Sequence, residues 1–370
     1  MKILENKNLI NNYSDEQWGA LRLFIQKNYQ PKYILQDRKF FNWQFLKNPE
    51  NYCGKAAFKV LKINNQPLGH LGIIPIGLKI GKQASKGAIL CNLMVDKDYR
   101  ALGLGIKLLQ SAASDFPVLI GIGYTPDTAK IYEKMNGWKI MPELNRYIKI
   151  INYRNVEKLI KKKIRQSKES IICGDAAEIN VKKIKTFSKS FDGFWRAVSA
   201  KYPIAIERKA SYLNWRYVSH PFFNYEILAA DEEGEIGGYI VFRIAKSTGG
   251  KQIFRIGHIL DLASKNDKTA KELIRQAERA MVKRKVDFID FHSSGLFHQK
   301  VFLELGYCLN AKAPLNLIPM HFNPIETHRP KNLNFFLFYG GKMNDKKFIC
   351  DINNWYLTKG DGDKDRPNPH

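Results

Sequence analysis

Residues 93–113 read Leu-Met-Val-Asp-Lys-Asp-Tyr-Arg-Ala-Leu-Gly-Leu-Gly-Ile-Lys-Leu-Leu-Gln-Ser-Ala-Ala. The apolar residues from Leu90 to Val95 read as a strand that runs into a turn, Arg100-Ala101-Leu102-Gly103-Leu104-Gly105. That turn opens a helix, because Leu104, Leu108, Leu109 and Ala112 recur at helical spacing. Glycine at such a junction lets backbone N–H groups converge on one point, and the helix start adds partial positive charge. A pyrophosphate fits there, with Arg100 as a further cation. The turn is not a Walker loop, since no Gly-Lys-Ser/Thr follows. It also lacks the third glycine of the G-x-G-x-x-G dinucleotide pattern. By itself, R-x-x-G-x-G is equally a ligand-free strand-to-helix turn, and only the flanking sequence can decide.

The flanks carry a repeat. Phe41-Asn42-Trp43-Gln44-Phe45-x-x-Asn48-Pro49 returns as Leu213-Asn214-Trp215-Arg216-Tyr217-x-x-His220-Pro221. The offset is roughly one domain length. Each copy is followed by a strand, a polar turn (Asn64-Asn65 and Glu232 to Gly234) and a glycine-containing strand. Then come an apolar strand, a helix, another strand, and a helix ending in Asn-Gly-Trp or Leu-Gly-Tyr. The shared order predicts a duplicated plan, which 370 residues can accommodate. The expected division is a domain over 1–152, a basic linker over 153–180, a second domain over 181–325, and a C-terminal extension over 326–370. The last stretch, from Leu357 to His370, reads as disordered or as a late docking segment.

Composition narrows the class. A hydrophobic content of 44% excludes whole-chain disorder. No apolar run reaches the roughly 18 residues of a membrane helix, and no continuous apolar segment of a secretory signal is read near Met1. Five cysteines (Cys53, Cys91, Cys173, Cys308 and Cys350) are scattered and never form a C-x-x-C pair. That pattern excludes a disulfide scaffold and a zinc site, so the expectation is a cytoplasmic protein with no metal and no membrane span. Against 35 Asp+Glu stand 60 Lys+Arg, a net charge of +25. The cations are spread along the chain and no named nucleic-acid motif occurs, which points to a solvated face and a field that gathers anions.

Past the turn, Thr125 to Trp138 places Tyr132 on a short helix ending at Asn136-Gly137, a left-handed cap. With this segment and the R-x-x-G-x-G turn, the chain resembles the GNAT superfamily of acyl-coenzyme A-dependent acyltransferases. The family's [RQ]-x-x-G-x-[GA] signature is matched by Arg100, Gly103 and Gly105. Its later signature is matched in part by Tyr132, Lys134, Gly137 and Trp138, while Thr125 and Thr128 stand where Asn and Ala are usual. Motifs carry the resemblance over residues 1–150, and the repeat pattern alone carries it over 180–320.

The resemblance implies an α/β fold of the α+β kind. It would have two tandem GNAT-like domains, each a mixed, mostly antiparallel sheet flanked by helices. It implies an acyl-CoA co-substrate, acetyl-CoA most simply, held by Leu93, Met94 and Val95 and by Arg100, Ala101, Leu102, Gly103, Leu104 and Gly105. Strand Leu90 to Val95 would splay from Leu119 to Tyr124, and the exposed amides would polarise the thioester carbonyl. Tyr132 takes the family's general-acid place, donating to the leaving thiolate. For the base, His70 competes with relayed water.

The second copy has no glycine between Asp261 and Thr269, and Phe302 replaces Tyr132. Two carboxylates, Asp261 and Asp267, would face a pyrophosphate there. This copy is therefore expected to keep the fold, lose the co-substrate site and form an acceptor wall. Arg216, His220 and His292 are its candidate contacts, while Trp43 and Trp215 read as core. The expected activity is N-acyl transfer, most simply N-acetyl transfer, to a small-molecule amine such as an amino sugar or its nucleotide-linked form in surface polysaccharide synthesis. Two alternatives stand beside it. Fem-type aminoacyltransferases resemble the chain in their paired-domain architecture and would bring aminoacyl-tRNA as partner. A binding protein that kept the fold without catalysis is the other.

Overall fold

Strand pairing in the computed structural model sorts the chain into two large sheets. Described are residues 9–51, 54–165, 179–248, 252–311, 313–322, 325–326, 332–341 and 345–367. Cys53, residues 166–178 of the basic linker (Cys173 among them) and the last three residues lie outside them. The first half supplies β1 (Ile10–Asn12), β2 (Phe58–Ile63), β3 (Gln66–Ile80), β4 (Gln83–Val95), β5 (Val118–Ile122), β6 (Trp138–Met141) and β7 (Asn145–Ile150). The second supplies β8 (Asn180–Ile184), β9 (Ile204–Ile206), β10 (Glu226–Glu232), β11 (Glu235–Lys246), β12 (Arg255–Ser264), β13 (Phe288–Ser293) and β14 (Cys308–Leu309). A small hairpin, β15 (His321–Phe322) with β16 (Ile325–Glu326), precedes β17 (Phe335–Tyr339) and β18 (Trp355–Tyr356).

The first sheet runs β1-β2-β3-β4-β5-β17-β6, and the second runs β8-β10-β11-β12-β13-β7-β14. Place by place these are the same sheet, with one parallel pair in the middle of each: β4 with β5, and β12 with β13. Both hairpin turns have two successive residues at positive φ, Asn64 and Asn65 (49° and 64°) in one, Glu233 and Gly234 (55° and 84°) in the other. That is the mirror-image turn whose twist matches the strands it joins. The duplication read from sequence is thus present in the backbone. So are the mixed, mostly antiparallel sheets.

One feature of the pairing runs against chain order. The place between β5 and β6 is filled by β17, from the C-terminal extension. The matching place between β13 and β14 is filled by β7, from the first half. Each half of the chain thus supplies the sixth strand of the other half's sheet. The division at residue 152 therefore follows the chain and not the sheets, since Asn145–Ile150 pairs with Phe288–Ser293.

The repeated Asn-Trp motif explains how the halves meet. Each copy ends a short helix (Arg38–Phe41 and Ala210–Leu213) and widens into a π turn (Asn42–Leu46 and Asn214–Val218). The widening aims Trp43 and Trp215 at each other. Their rings stack at 5.2 Å, and each indole N–H donates to the other's carbonyl, at 2.9 and 2.8 Å. Both are core residues, as the repeat suggested, and they form a reciprocal joint between the halves.

The C-terminal stretch docks. Trp355–Tyr356 extends the first sheet through β9, and Thr358 bridges Ser293 at the end of β13. Asp361 is ion-paired with Arg208 at 2.8 Å, and Arg243 and the Tyr225 hydroxyl bind the Asp365 carboxylate. Of the two readings of this segment, docking is the one the structure shows through Pro367. Among the described residues no helix is long and apolar enough to cross a membrane.

Candidate active site

The turn after β4 is built by its own side chains. Asp96 closes it, accepting the Asp98 amide at 3.2 Å and pairing with Lys27 at 2.7 Å, which holds its carboxyl below the usual range. Lys97–Leu102 form a tight 3₁₀ turn, so Ala101 and Leu102 lie on an ordered segment, with Leu102 exposed. Gly103 then takes left-handed backbone (φ 69°) and starts the helix Leu104–Asp115. A Cβ on Gly103 would meet nothing within 4 Å, so its glycine serves conformation and not clearance. Leu104, Leu108, Leu109 and Ala112 are fully buried beneath it. The first-turn amides, including those of Leu104 and Gly105, have no intrahelical acceptor and present the helix's positive end. Arg100 folds back, its Nε donating to the Val95 carbonyl at 3.0 Å.

Next to this turn the sheet parts. β4 and β5 pair only at Ala88–Leu119 and Ile89–Ile120, although β4 continues to Val95 and β5 to Ile122. Over the same stretch β4 carries a bulge against β3, with Asn92 in left-handed backbone (φ 52°). Asn is one of the few side chains that tolerate this region. Past the bulge, His70 faces Met94 and Gly69 faces Val95, and the Asp96 amide donates to Leu68 at 2.9 Å. Strand alternation then turns the Met94 amide toward β3 and those of Leu93 and Val95 toward the gap. Of the three strand residues expected to face a ligand, Met94 is the one whose backbone points away.

The gap opens into a cleft of about 300 Å³ between β4, β5 and the C-terminal segment. Tyr132 lines it from the helix Pro126–Tyr132. Its ring is stacked on Trp138 at 5.1 Å and packs tilted against Phe336 at 4.1 Å, and burial holds its hydroxyl ionisation above the ordinary range. Phe336 belongs to the exchanged strand β17, so the second half's extension builds the wall behind Tyr132. Sequence reasoning missed Phe336, Asn92, Asp363 and Arg366, all at the cleft.

Four candidates have other work. His70 is fully buried among Phe24, Tyr29 and Phe58, and desolvation pushes its imidazole down to about 3. It does not line the cleft. Arg216 donates to the Gly360 and Gly362 carbonyls (2.7 and 3.1 Å), fastening the C-terminal segment where Gln44 of the first copy binds none. His220 accepts the Phe222 and Phe223 amides through Nδ1, a turn cap beneath Trp43. His292 is fully buried in the second sheet, its imidazole pushed well down by desolvation. None of the last three reaches the cleft of β4 and β5.

In the second half the equivalent parting is filled. β12 and β13 pair from Ile256–Phe288 to Ile259–Phe291 and then separate. The chain's own residues 356–360 lie there: Thr358 bridges Ser293, the Tyr356 hydroxyl donates to Leu262, and a Cβ on Gly360 would lie 2.7 Å from the Leu260 carbonyl. The helix Asp267–Lys283 is capped by Asn266, which accepts the Thr269 amide at 2.9 Å. Asp261 does not face that turn, as expected from sequence, but is buried against Arg208 at 3.0 Å. Phe302 is fully buried. Among the described residues no cluster of His, Cys, Asp and Glu could hold a metal ion.

Residues 16–122, which contain the bulge, the parting and the Gly103 turn, match the acetyltransferase (GNAT) family. Over that segment the chain is similar to the GNAT family. Among solved structures, N-myristoyltransferase of Saccharomyces cerevisiae with bound myristoyl-CoA is similar at 14% identity. That match covers 90% of this chain and 83% of the other with a TM-score of 0.55. A GCN5-related N-acetyltransferase from Anabaena variabilis matches at 12% identity over 88% and 71% (TM-score 0.52). A probable N-acyltransferase from Enterococcus faecalis matches at 10% over 90% and 72% (TM-score 0.54). At these identities the likeness concerns the GNAT fold in both halves. No curated protein matches the chain by sequence.

Proposed function

We propose that this chain is a GNAT-type, acyl-CoA-dependent N-acyltransferase with one active cleft, in its simplest form an N-acetyltransferase. The observation that carries this reading is the parting of β4 from β5 over a cleft that ends at the left-handed Gly103 turn. The pyrophosphate would rest on the amides of Leu104 and Gly105, with Arg100 at the rim. The pantetheine arm would add to the β4 edge through Leu93 and Val95, whose amides also polarise the thioester carbonyl. Tyr132 would protonate the departing thiolate. The filled parting and capped helix of the second half support a single co-substrate site. The cleft's polar side, with Asn92, Thr125 and Thr128, suits a hydroxyl-rich acceptor, and an amino sugar is the acceptor we propose.

The test is thiol release from acetyl-CoA by the full chain, with glucosamine as acceptor. Release well above the amine-free rate is expected. A rate indifferent to glucosamine and to other primary amines contradicts the reading.

A further inference from the structure

Among the described residues lining the cleft, Asp363 supplies the one carboxylate, and no imidazole lines it. We propose that Asp363 receives the acceptor's ammonium group and takes its proton, which makes the docked C-terminal segment part of the catalytic apparatus. The proposal rests on the acyltransferase reading above.

The sequence Asp361-Gly362-Asp363-Lys364-Asp365 places three carboxylates two residues apart. The outer two are consumed by buried ion pairs, Asp361 with Arg208 and Asp365 with Arg243. Between these anchors the chain crosses the end of β5, where a Cβ on Gly362 would lie 3.2 Å from Ile122. Asp363 is left on the cleft side. One guanidinium nitrogen of Arg366 donates to both the Asp363 carboxylate (Oδ2) and the Asn92 side chain (Oδ1), at 2.7 Å each. The other donates to the Tyr33 hydroxyl at 2.5 Å. The carboxylate is thereby tied to the bulge residue whose neighbour, Leu93, turns its amide to the gap. The Arg366 bond engages Oδ2, and Oδ1 is the atom that would meet the acceptor.

An ammonium nitrogen has no lone pair, so acyl transfer from a thioester starts with the loss of a proton. In the proposed step R–NH₃⁺ gives one proton to Asp363. The freed lone pair forms the C–N bond as the carbonyl electrons move onto oxygen. When they return, the C–S bond breaks and the thiolate takes the Tyr132 proton. Tyr132 recovers a proton from the nitrogen, which becomes the amide N–H, and Asp363 releases its proton to solvent. Neither His70 nor Cys91 competes for the role. The first lies outside the cleft lining, and burial pushes the Cys91 thiol up, away from the thiolate.

The experiment compares Asp363→Asn with the unmodified full-length protein, using acetyl-CoA and two acceptors. Glucosamine is largely protonated at neutral pH, whereas hydroxylamine is not. The expected result is about a 10²-fold loss with glucosamine, a typical size for a lost general base. With hydroxylamine the loss should stay within about fivefold, and calorimetric acetyl-CoA affinity within about twofold. An equal loss with both acceptors, a loss of acetyl-CoA binding, or no loss at all overturns the assignment of Asp363. Absence of thiol release from the unmodified protein would instead contradict the acyltransferase reading itself.

Discussion

Tyr132→Phe is expected to slow acetyl transfer by about 10²-fold while leaving acetyl-CoA affinity within about twofold. The substitution removes one oxygen and keeps the ring between Trp138 and Phe336, so the wall survives and only the donor is lost. Burial holds the hydroxyl ionisation above its ordinary value near 10, so the group is an O–H donor throughout the working range. The deficit should therefore be constant with pH, with no tyrosine limb below about pH 10. Steady-state rates from pH 6 to 10 check this, and an undiminished kcat in the variant would remove Tyr132 from the chemistry. Phenol is a weak acid for a thiolate. Its contribution is accordingly placed in the moment of C–S cleavage, when sulfur is most basic.

Gly103→Asp is expected to weaken acetyl-CoA binding by about 10²-fold or more. Two effects add. A side chain at φ 69° costs about 1 kcal/mol for a residue that tolerates left-handed backbone. The larger effect is charge: a carboxylate at the helix start would lie about 5 Å from a bound pyrophosphate, and at an effective dielectric near 20 each pair repels by about 3 kcal/mol. At 1.4 kcal/mol per tenfold, one such pair already gives about 10². Gly103→Asn has nearly the same shape without the charge and should keep affinity within about tenfold. Calorimetric titration of both variants separates the effects. Equal weakening by Asn and Asp would mean that the backbone, and not the anion site, had been damaged.

What could be read from sequence was local. The turn from Val95 to Leu104, its helix, the two Asn-Trp motifs and the paired hairpins depend on residues within one element of each other. Glycine conformation, helical spacing and turn chemistry record such features directly. The exchange of β7 and β17 left no local trace, because Asn145–Ile150 would read as the same strand in either sheet. Only the competition between two nearly equivalent edges decides its partner. The C-terminal segment was ambiguous for a related reason. Gly-Asp-Gly-Asp-Lys-Asp looks solvated until Arg208, Arg216 and Arg243, distant in sequence, are brought around it.

That segment also explains the misassigned wall residues. Arg216 departs from Gln44 of the first copy because it fastens the tail, not because it meets an acceptor. The signal that could have revealed this was present: three alternating aspartates close a chain carrying +25. Opposite charges at that density, unmatched nearby, imply partners elsewhere in the fold. The second half's missing cradle was legible from its missing glycines, but its physical cause was not. The slot is occupied by the chain itself, and Asp261 is engaged in the core.

Titrating acetyl-CoA into the full-length protein by calorimetry tests the central claim most directly, because only one of two duplicated partings is open. One equivalent bound per chain, lost in Gly103→Asp, is the predicted result. No binding, two equivalents, or one equivalent that the Gly103 substitution leaves untouched would contradict it.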